Sequence, residues 1–178
     1  GRPSLAMSAL RRALRLDPGL PQVYHSLAQH YVKQERLSEA QKALRKALQL
    51  NPDCPEYYLG LAGCYLQQGA TRAAVKWLRR AVRRFPRLVM IREMLVEIYQ
   101  RIGDCCGLIE QARALVQMNP RNPHGYDLLA TALFRCGDLD GASRSLDMMI
   151  RLDPMDPVCR LKRALLMQQN GDLGKAME

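Results

Sequence analysis

The chain has 178 residues, of which 48% are hydrophobic and 25% are charged, so it can form a core or a stack of repeats and is not a disordered tail. Basic residues number 27 against 17 acidic ones, a formal net charge of +10, and no apolar run approaches the roughly 18 residues of a membrane span. Aromatic residues make up only 6% and histidines number three, which disfavours metal sites and base-stacking surfaces.

Five prolines recur every 34 residues and divide the chain into repeats: Pro18, Pro52, Pro86, Pro120 and Pro154. Each follows a stretch of helical periodicity and ends it, because proline cannot continue a helix. The spacing predicts a half repeat at 1–20, four full repeats at 21–54, 55–88, 89–122 and 123–156, and a partial repeat at 157–178. Positions 1 to 34 are numbered below from the first residue of each full repeat.

Each full repeat has the pattern of two helices joined by a turn. In the first repeat, Tyr24, Leu27, Ala28 and Tyr31 share one helix face because their spacing matches 3.6 residues per turn. Small residues recur in the second helix, where two helices must approach closely. Glycine occupies position 15, where a left-handed turn is needed between the helices, at Gly69, Gly103, Gly137 and Gly171.

This pattern resembles the tetratricopeptide repeat: 34 residues, a large residue at position 4, a small one at 8, Tyr at 11, Ala at 20 and 27 and Pro at 32. The resemblance covers the whole chain and implies an all-α, right-handed α-solenoid of helix-turn-helix repeats. The third repeat departs from it, since Val96 and Leu108 stand where small residues are usual, and Ala112 with Leu115 replaces the usual large-then-small pair. Because the total volume is kept, we expect local repacking there and not a break.

The sequence carries no motif of a catalytic nucleophile, phosphate loop or zinc protease, so we predict a protein that is not an enzyme and has no cofactor. The six cysteines have no C-x-x-C spacing, which disfavours a metal site. Cys64 lies on an apolar helix face and is predicted to be a buried thiol, whereas the others are placed at turns or repeat edges. So many unpaired thiols favour a reducing compartment, with the cytoplasm as the default.

Two adjacent cysteines, Cys105 and Cys106, begin the second helix of the third repeat. The positive end of the helix dipole can activate a thiol at such a position. Neighbouring helical side chains diverge, however, and the sequence names no resolving partner. A structural role is therefore favoured, and a redox switch stays the alternative.

The resemblance also implies that the first helices line a concave groove through positions 2, 5, 6, 9, 12 and 13. The glycines at groove positions, Gly60 and Gly63, predict close approach of a bound backbone. Apolar side chains among carboxylates predict a protein partner that presents a peptide or helix with apolar and basic residues. The predicted peptide-binding residues are His25, Gln29, Leu59, Gly63, Leu66, Met90, Glu93, Met94, Glu97, Asp127, Leu128, Thr131, Phe134 and Arg135.

The second helices, expected on the convex side, carry a column of basic residues that we call the basic ridge. Residues 1–87 hold 16 basic and 5 acidic residues, whereas 88–178 hold 11 and 12. Exposure to solvent explains why charged residues are present, but it does not explain why all of them are basic at equivalent positions of successive repeats. The alternative function is therefore binding of a polyanion, namely a nucleic acid, an anionic surface or an acidic protein. The ridge comprises Arg11, Arg12, Lys42, Arg45, Lys46, Lys76, Arg79, Arg80, Arg83 and Arg113.

Both ends of the chain fall within a repeat. The chain starts in the second helix of one repeat and ends just after Gly171, where another second helix is due. We therefore expect helical repeats to continue on both sides in a longer protein. The apolar faces of the incomplete repeats also predict end-to-end self-association.

Overall fold

The computed structural model describes residues 2–169, and these form ten α-helices without a strand among them, so the predicted all-α class is confirmed. First helices of successive repeats alternate with second helices along the chain. In chain order the helices are α1 (Arg2–Leu16), α2 (Pro21–Lys33), α3 (Leu37–Leu50), α4 (Pro55–Gln67), α5 (Thr71–Arg84), α6 (Val89–Ile102), α7 (Cys105–Met118), α8 (Pro123–Arg135), α9 (Leu139–Leu152) and α10 (Pro157–Gln169).

Prolines and glycines set the helix ends. Helices α2, α4 and α8 each begin with proline, whose fixed φ suits the first helical position and whose missing N–H has no helical partner to lose there. At position 15, Gly69, Gly103 and Gly137 have φ between 72° and 82°, as the left-handed turn requires. Glu35 holds this conformation in the first repeat with φ 59°. Gly171 lies outside the described residues.

The side chain at position 4 anchors a first helix to the turn before it. The hydroxyls of Tyr24 and Tyr58 donate to the carbonyls of Pro18 and Pro52, each at 3.2 Å. Arg160 makes the equivalent contact with the Pro154 carbonyl at 2.6 Å. The recurrence of a long donor at position 4 thus reflects a recurring bond to the proline at position 32 of the preceding repeat.

The chain divides into two compact units, residues 1–91 and 92–178. In the first unit, four alanines in second helices are completely buried, namely Ala40, Ala47, Ala74 and Ala81. The buried ring of Tyr58 packs there against two other aromatic rings, those of Trp77 and Phe85, with centroids 6.3 and 5.9 Å away.

One hydrophobic core cluster of the second unit lies between α8, α9 and α10. It comprises Ala130, Leu133, Ala142, Leu146, Met149, Cys159 and Leu166. Cys159 lies at a repeat edge, as the sequence predicts, but it is 0% exposed. Its position near the start of α10 faces the preceding repeat, so it packs into the core while its thiol donates to Asp156 at 3.1 Å.

The third repeat keeps two continuous helices despite its exchanged residue sizes. Val96, Leu108, Ala112 and Leu115 are all buried. A methyl group added at Gly107 would lie 2.8 Å from the ring of Tyr99, so this glycine lets the ring rest directly on the backbone of α7. Leu108 at position 20 is larger than the usual small residue there. Gly107 at position 19 compensates, because it has no side chain and leaves room for the ring of Tyr99.

Replacing Gly107 with alanine is expected to lower the free energy of unfolding by about 1–3 kcal/mol, because the new methyl must displace a buried ring. The matched control is Gly63→Ala, where the methyl meets nothing within 4 Å. This control should be neutral or stabilising by up to about 1 kcal/mol, since alanine favours helix. Urea denaturation measures both, and equal effects in the two variants would contradict the close packing at Gly107.

Candidate functional site

Each compact unit contains a hollow between the first helices of two successive repeats. In the first unit it lies between α2 and α4, has a volume of about 520 Å³ and has Leu44 of α3 as its floor. Its lining residues are His25, Ala28, Gln29, Val32, Lys33, Leu44, Gly60, Gly63, Cys64 and Gln67. We call this the first hollow.

The second hollow lies between α8 and α10, has a volume of about 300 Å³ and has Leu146 of α9 as its floor. It is lined by Asp127, Ala130, Thr131, Phe134, Leu146, Lys162, Leu165 and Leu166. Both hollows use positions 5, 8, 9, 12 and 24 of one repeat and positions 6, 9 and 10 of the next. These positions share helix faces by their spacing, so the repeat builds the same hollow twice.

Six of the predicted peptide-binding residues line a hollow, and the other eight lie outside both. His25, Gln29 and Gly63 line the first hollow, and Asp127, Thr131 and Phe134 line the second. The sequence did not predict Leu44 and Leu146 as site residues. A leucine at position 24 is typical of a helix core, and the pattern does not indicate a cavity above it. The residues outside both hollows are Leu59, Leu66, Met90, Glu93, Met94, Glu97, Leu128 and Arg135.

Intramolecular cations neutralise part of the acidic character predicted for the groove. Asp127 of α8 forms an ion pair with Lys162 of α10 at the edge of the second hollow. Glu93 lies 3.5 Å from the imidazole of His124. Glu97 is exposed to solvent. The carboxylates best placed to select a basic partner are therefore Glu93 and Glu97, not Asp127.

The two groove glycines differ. A methyl at Gly60 would lie 3.1 Å from the side chain of Leu44, so the close approach at this position is made by the chain itself. The contact with Leu44 therefore accounts for the glycine at residue 60 without a bound backbone. Gly63 faces open space within the first hollow, where nothing lies within 4 Å of an added methyl.

In the first hollow, His25 stacks near the buried ring of Tyr57, with the two centroids 5.1 Å apart. Burial, assisted by a hydrogen bond with Cys54, raises the pKa of the Tyr57 hydroxyl to about 12. Tyr57 is therefore neutral across the physiological range and supplies an apolar support for the imidazole. His25 in turn lies 3.5 Å from the amide nitrogen of Gln29.

All ten residues of the basic ridge are exposed, but two of them also have contacts within the chain. Arg45 donates a hydrogen bond to the hydroxyl of Tyr65 in the next repeat. The guanidinium of Arg80 lies over the Trp77 ring, 5.5 Å from its centroid. Part of the ridge thus has a structural explanation that its sequence pattern did not reveal.

The other ridge cations on α3 and α5 are Lys42, Lys46, Lys76, Arg79 and Arg83. Within the described part of the chain, no salt bridge joins them to an acidic side chain. Helix α5 contains no Asp or Glu, and Arg84 at its end pairs with Asp53 at 2.5 Å. An unneutralised cationic surface therefore covers the outer side of these two helices.

The cysteines fall into a buried and an exposed class. Cys64 is buried, as predicted, and burial raises the pKa of its thiol. Cys105 and Cys106 are exposed at the start of α7, and Cys136 is half-buried at the end of α8. Among the residues that the structure describes, no group of His, Cys, Asp or Glu is arranged to hold a metal ion. None of the described helices has the length and apolar character needed to cross a membrane.

Comparison with known proteins agrees with this geometry. Residues 25–88 match the tetratricopeptide repeat family. The chain has the tetratricopeptide repeat fold. The predicted resemblance is thereby confirmed, and both sides of the first hollow lie within the matched residues. No curated protein sequence matches the chain.

Several solved structures share the tetratricopeptide repeat fold at low sequence identity. A MamA fragment from Desulfovibrio magneticus RS-1 is 17% identical, with a TM-score of 0.66 over 88% of this chain and 89% of that one. YrrB, described as a tetratricopeptide repeat protein with an unusual peptide-binding site, is 19% identical, with a TM-score of 0.64 over 89% and 81%. The structure of Naa15/Naa10 bound to HypK-THB has a TM-score of 0.76 and 18% identity, over 95% of this chain but 27% of that one.

Iodoacetamide at neutral pH is expected to modify Cys105 and Cys106 in the folded chain and to leave Cys64 and Cys159 unmodified. Burial excludes the reagent and raises the pKa of the Cys159 thiol to about 11, so little thiolate forms there. Mass spectrometry of digested protein, with and without denaturant, measures modification at each site. Rapid labelling of Cys159 without denaturant would contradict its place in the core.

Proposed function

We propose that the chain is a non-enzymatic protein–protein interaction scaffold that binds a peptide or helix of a partner through the hollows between its first helices. The observation that carries this proposal is the construction of the same hollow at equivalent positions in both compact units. The tetratricopeptide repeat fold supports it, as does the peptide-binding site described for YrrB.

The second hollow is suited to an apolar anchor side chain. Phe134 and Leu165 are 37% and 52% exposed at its rim, while Ala130, Leu146 and Leu166 form buried walls. Covering exposed apolar surface contributes about 25 cal/mol per Å², so an inserted Leu or Phe side chain gains affinity from both rim residues. The pair of Asp127 and Lys162 leaves the edge without net charge and offers hydrogen bonds to a peptide backbone.

Basic residues in the partner would meet Glu93 and Glu97 on α6. This helix is the first helix of the third repeat, as α8 is of the fourth, and both glutamates occupy predicted groove positions. Glu93 is partly exposed and Glu97 is exposed. Rim charges of this kind contribute mainly to specificity and association rate, not to affinity. The proposed partner segment therefore combines at least one large apolar residue with Lys or Arg.

The double variant Phe134→Ala, Leu165→Ala is expected to lose at least about tenfold in affinity for such a peptide, because both apolar rim contacts disappear. Peptides are selected from a displayed random library on the intact chain, and their dissociation constants are measured by fluorescence anisotropy. Selected peptides should be enriched in large apolar and basic residues.

The matched control for this experiment is Leu161→Ala. Leu161 is on the same helix as Leu165 and is 61% exposed, but it does not line the hollow. Its removal should leave peptide affinity unchanged. If the control weakens binding as much as the double variant does, or if the double variant binds normally, the second hollow is not the peptide site. Circular dichroism of all variants distinguishes lost contacts from lost folding.

A second candidate function is binding of a polyanion, an acidic protein or a nucleic acid, on the basic ridge of the first unit. The observation that favours it is the set of exposed cations on α3 and α5 that form no salt bridge with any residue that the structure describes. Surface cations in one cluster attract anionic partners over several ångströms, and the attraction falls with ionic strength. The first unit holds nearly all of the ridge, so this function would be separable from the second hollow.

Reversing the charge of Lys76, Arg79 and Arg83 to Glu is expected to abolish retention on heparin at low salt. These three residues are exposed and have no packing role in the structure, in contrast to Arg45 and Arg80, so folding should be retained. Retention of the unmodified chain should fall steeply with salt, because binding releases counterions.

The control for the ridge variant reverses Arg121, Arg144 and Arg151, which are exposed residues of the second unit. It makes the same change in net charge at a different place. Equal loss of heparin retention in both triple variants would show that net charge alone is responsible, and no retention of the unmodified chain would exclude this second function.

A further inference from the structure

The first hollow is wider than the second because it lacks two large side chains at its rim. At equivalent positions of the two hollows, Gly63 of α4 stands in place of Leu165 of α10, and Val32 of α2 in place of Phe134 of α8. The volume of the first hollow is about 520 Å³, against about 300 Å³ for the second. The first hollow therefore has room for a bulkier side chain than the second has.

Among the glycines that the structure describes, Gly63 is the one that no internal contact or turn explains. Three others have positive φ in turns, and a methyl added at any of the remaining five would lie within 3.3 Å of a neighbouring atom. Gly63 lies inside α4, and a methyl there would meet nothing within 4 Å. Because glycine inside a helix costs about 1 kcal/mol relative to alanine, its presence favours an external group that needs the bare backbone.

The chain itself shows which kind of side chain packs on a bare helix backbone. At Gly107 the ring of Tyr99 lies so close to α7 that an added methyl would be 2.8 Å from a ring carbon. A flat ring can approach a glycine with its whole face, whereas a side chain at that position would hold the ring away. Gly63 offers the same surface within the first hollow, open to a ring from another molecule.

The charges around the first hollow also suit an aromatic ring. None of the residues that line it is Asp or Glu, whereas Lys33 and His25 line it from the α2 side. Lys33 forms no salt bridge with any residue that the structure describes. An ammonium group is attracted to the face of an aromatic ring, most strongly to that of tryptophan. Tyr and Trp also carry a polar group that can remain at the solvated rim.

We propose that the first hollow binds a Trp or Tyr side chain of the partner segment, with the ring lying on the backbone at Gly63 and within reach of the Lys33 ammonium group. This inference rests on the proposed function, because it names the side chain that one of the two hollows takes. The imidazole of His25, 5.1 Å from the Tyr57 ring by centroids, supplies a second aromatic surface for the bound ring. The two hollows thus select different side chains although the repeat builds them at equivalent positions.

The test variant Gly63→Leu restores the side chain that the second hollow has at Leu165. Peptides are selected from a displayed random library on the intact chain and, in parallel, on this variant. Trp or Tyr should be enriched only on the unmodified chain, and Gly63→Leu should bind those aromatic peptides at least about tenfold more weakly by fluorescence anisotropy. Gly63→Ala should also weaken them, although alanine is expected to leave the helix as stable or more stable.

The matched control is Gln49→Leu, which adds the same side chain at an exposed position of α3 that lines neither hollow. It should leave the affinity for aromatic peptides unchanged. NMR spectra locate the ring directly, because a ring lying on Gly63 shifts the α-proton signals of this residue upfield when the peptide is added. Circular dichroism of each variant shows whether it is folded.

The possible failures of this inference and of the proposed function are distinguishable. Aromatic peptides that bind the unmodified chain and Gly63→Leu equally well would overturn the inference and leave the proposed function standing. Selected peptides without enrichment of Trp or Tyr would do the same, as would an equal loss of affinity in Gln49→Leu. If the unmodified chain selects no peptide at all, the proposed function fails and the inference fails with it.

Discussion

Close helix packing at completely buried alanines is the constraint on which the rest of the structure depends. Ala40, Ala47, Ala74 and Ala81 are completely buried, and their small side chains allow the helices of the first unit to pack closely. A larger side chain at any of these positions would force the helices apart. Because the alanines occupy equivalent positions in successive repeats, the same size limit applies to each repeat. The third repeat meets this constraint differently, with glycine at position 19 beneath Tyr99.

The same constraint produces the hollows. Small residues allow a second helix to pack closely beneath two first helices. The leucine at position 24 of this second helix forms the floor of the hollow but does not fill the space above it. Above Leu44 and Leu146, the facing side chains are too short or too far apart to close the gap. A cavity open to solvent therefore forms at equivalent positions without any residue specialised for it. Differences between the two hollows come from the side chains at their rims.

Charge is distributed less evenly than packing. Two acidic residues of the second unit form ion pairs with nearby cations, Asp127 with Lys162 and Asp147 with Arg163 at 3.1 Å. On α5 of the first unit there is no acidic residue to do so. Repulsion between like charges one turn apart costs a few tenths of a kcal/mol per pair, and salt screens it. The close packing beneath α5 easily offsets this cost, so the fold tolerates a surface of one sign.

The sequence by itself determined the local structure of this protein. Prolines and glycines at fixed intervals set where each helix begins and turns, since φ restrictions act within a few residues. The donor at position 4 and the buried thiol of Cys64 were likewise visible in the repeat pattern. Periodicity also selected His25 and Phe134 as candidate site residues, because it identifies which side chains lie off the core stripe of a helix.

Only the tertiary structure decided which residues of different repeats meet. It placed Leu44 against Gly60, Lys162 beside Asp127, and Arg45 on Tyr65. It also buried Cys159, which the pattern had assigned to a repeat edge. The physical reason is that periodicity fixes the direction of a side chain around its own helix, whereas a contact between repeats depends on the distance and angle at which two helices pack.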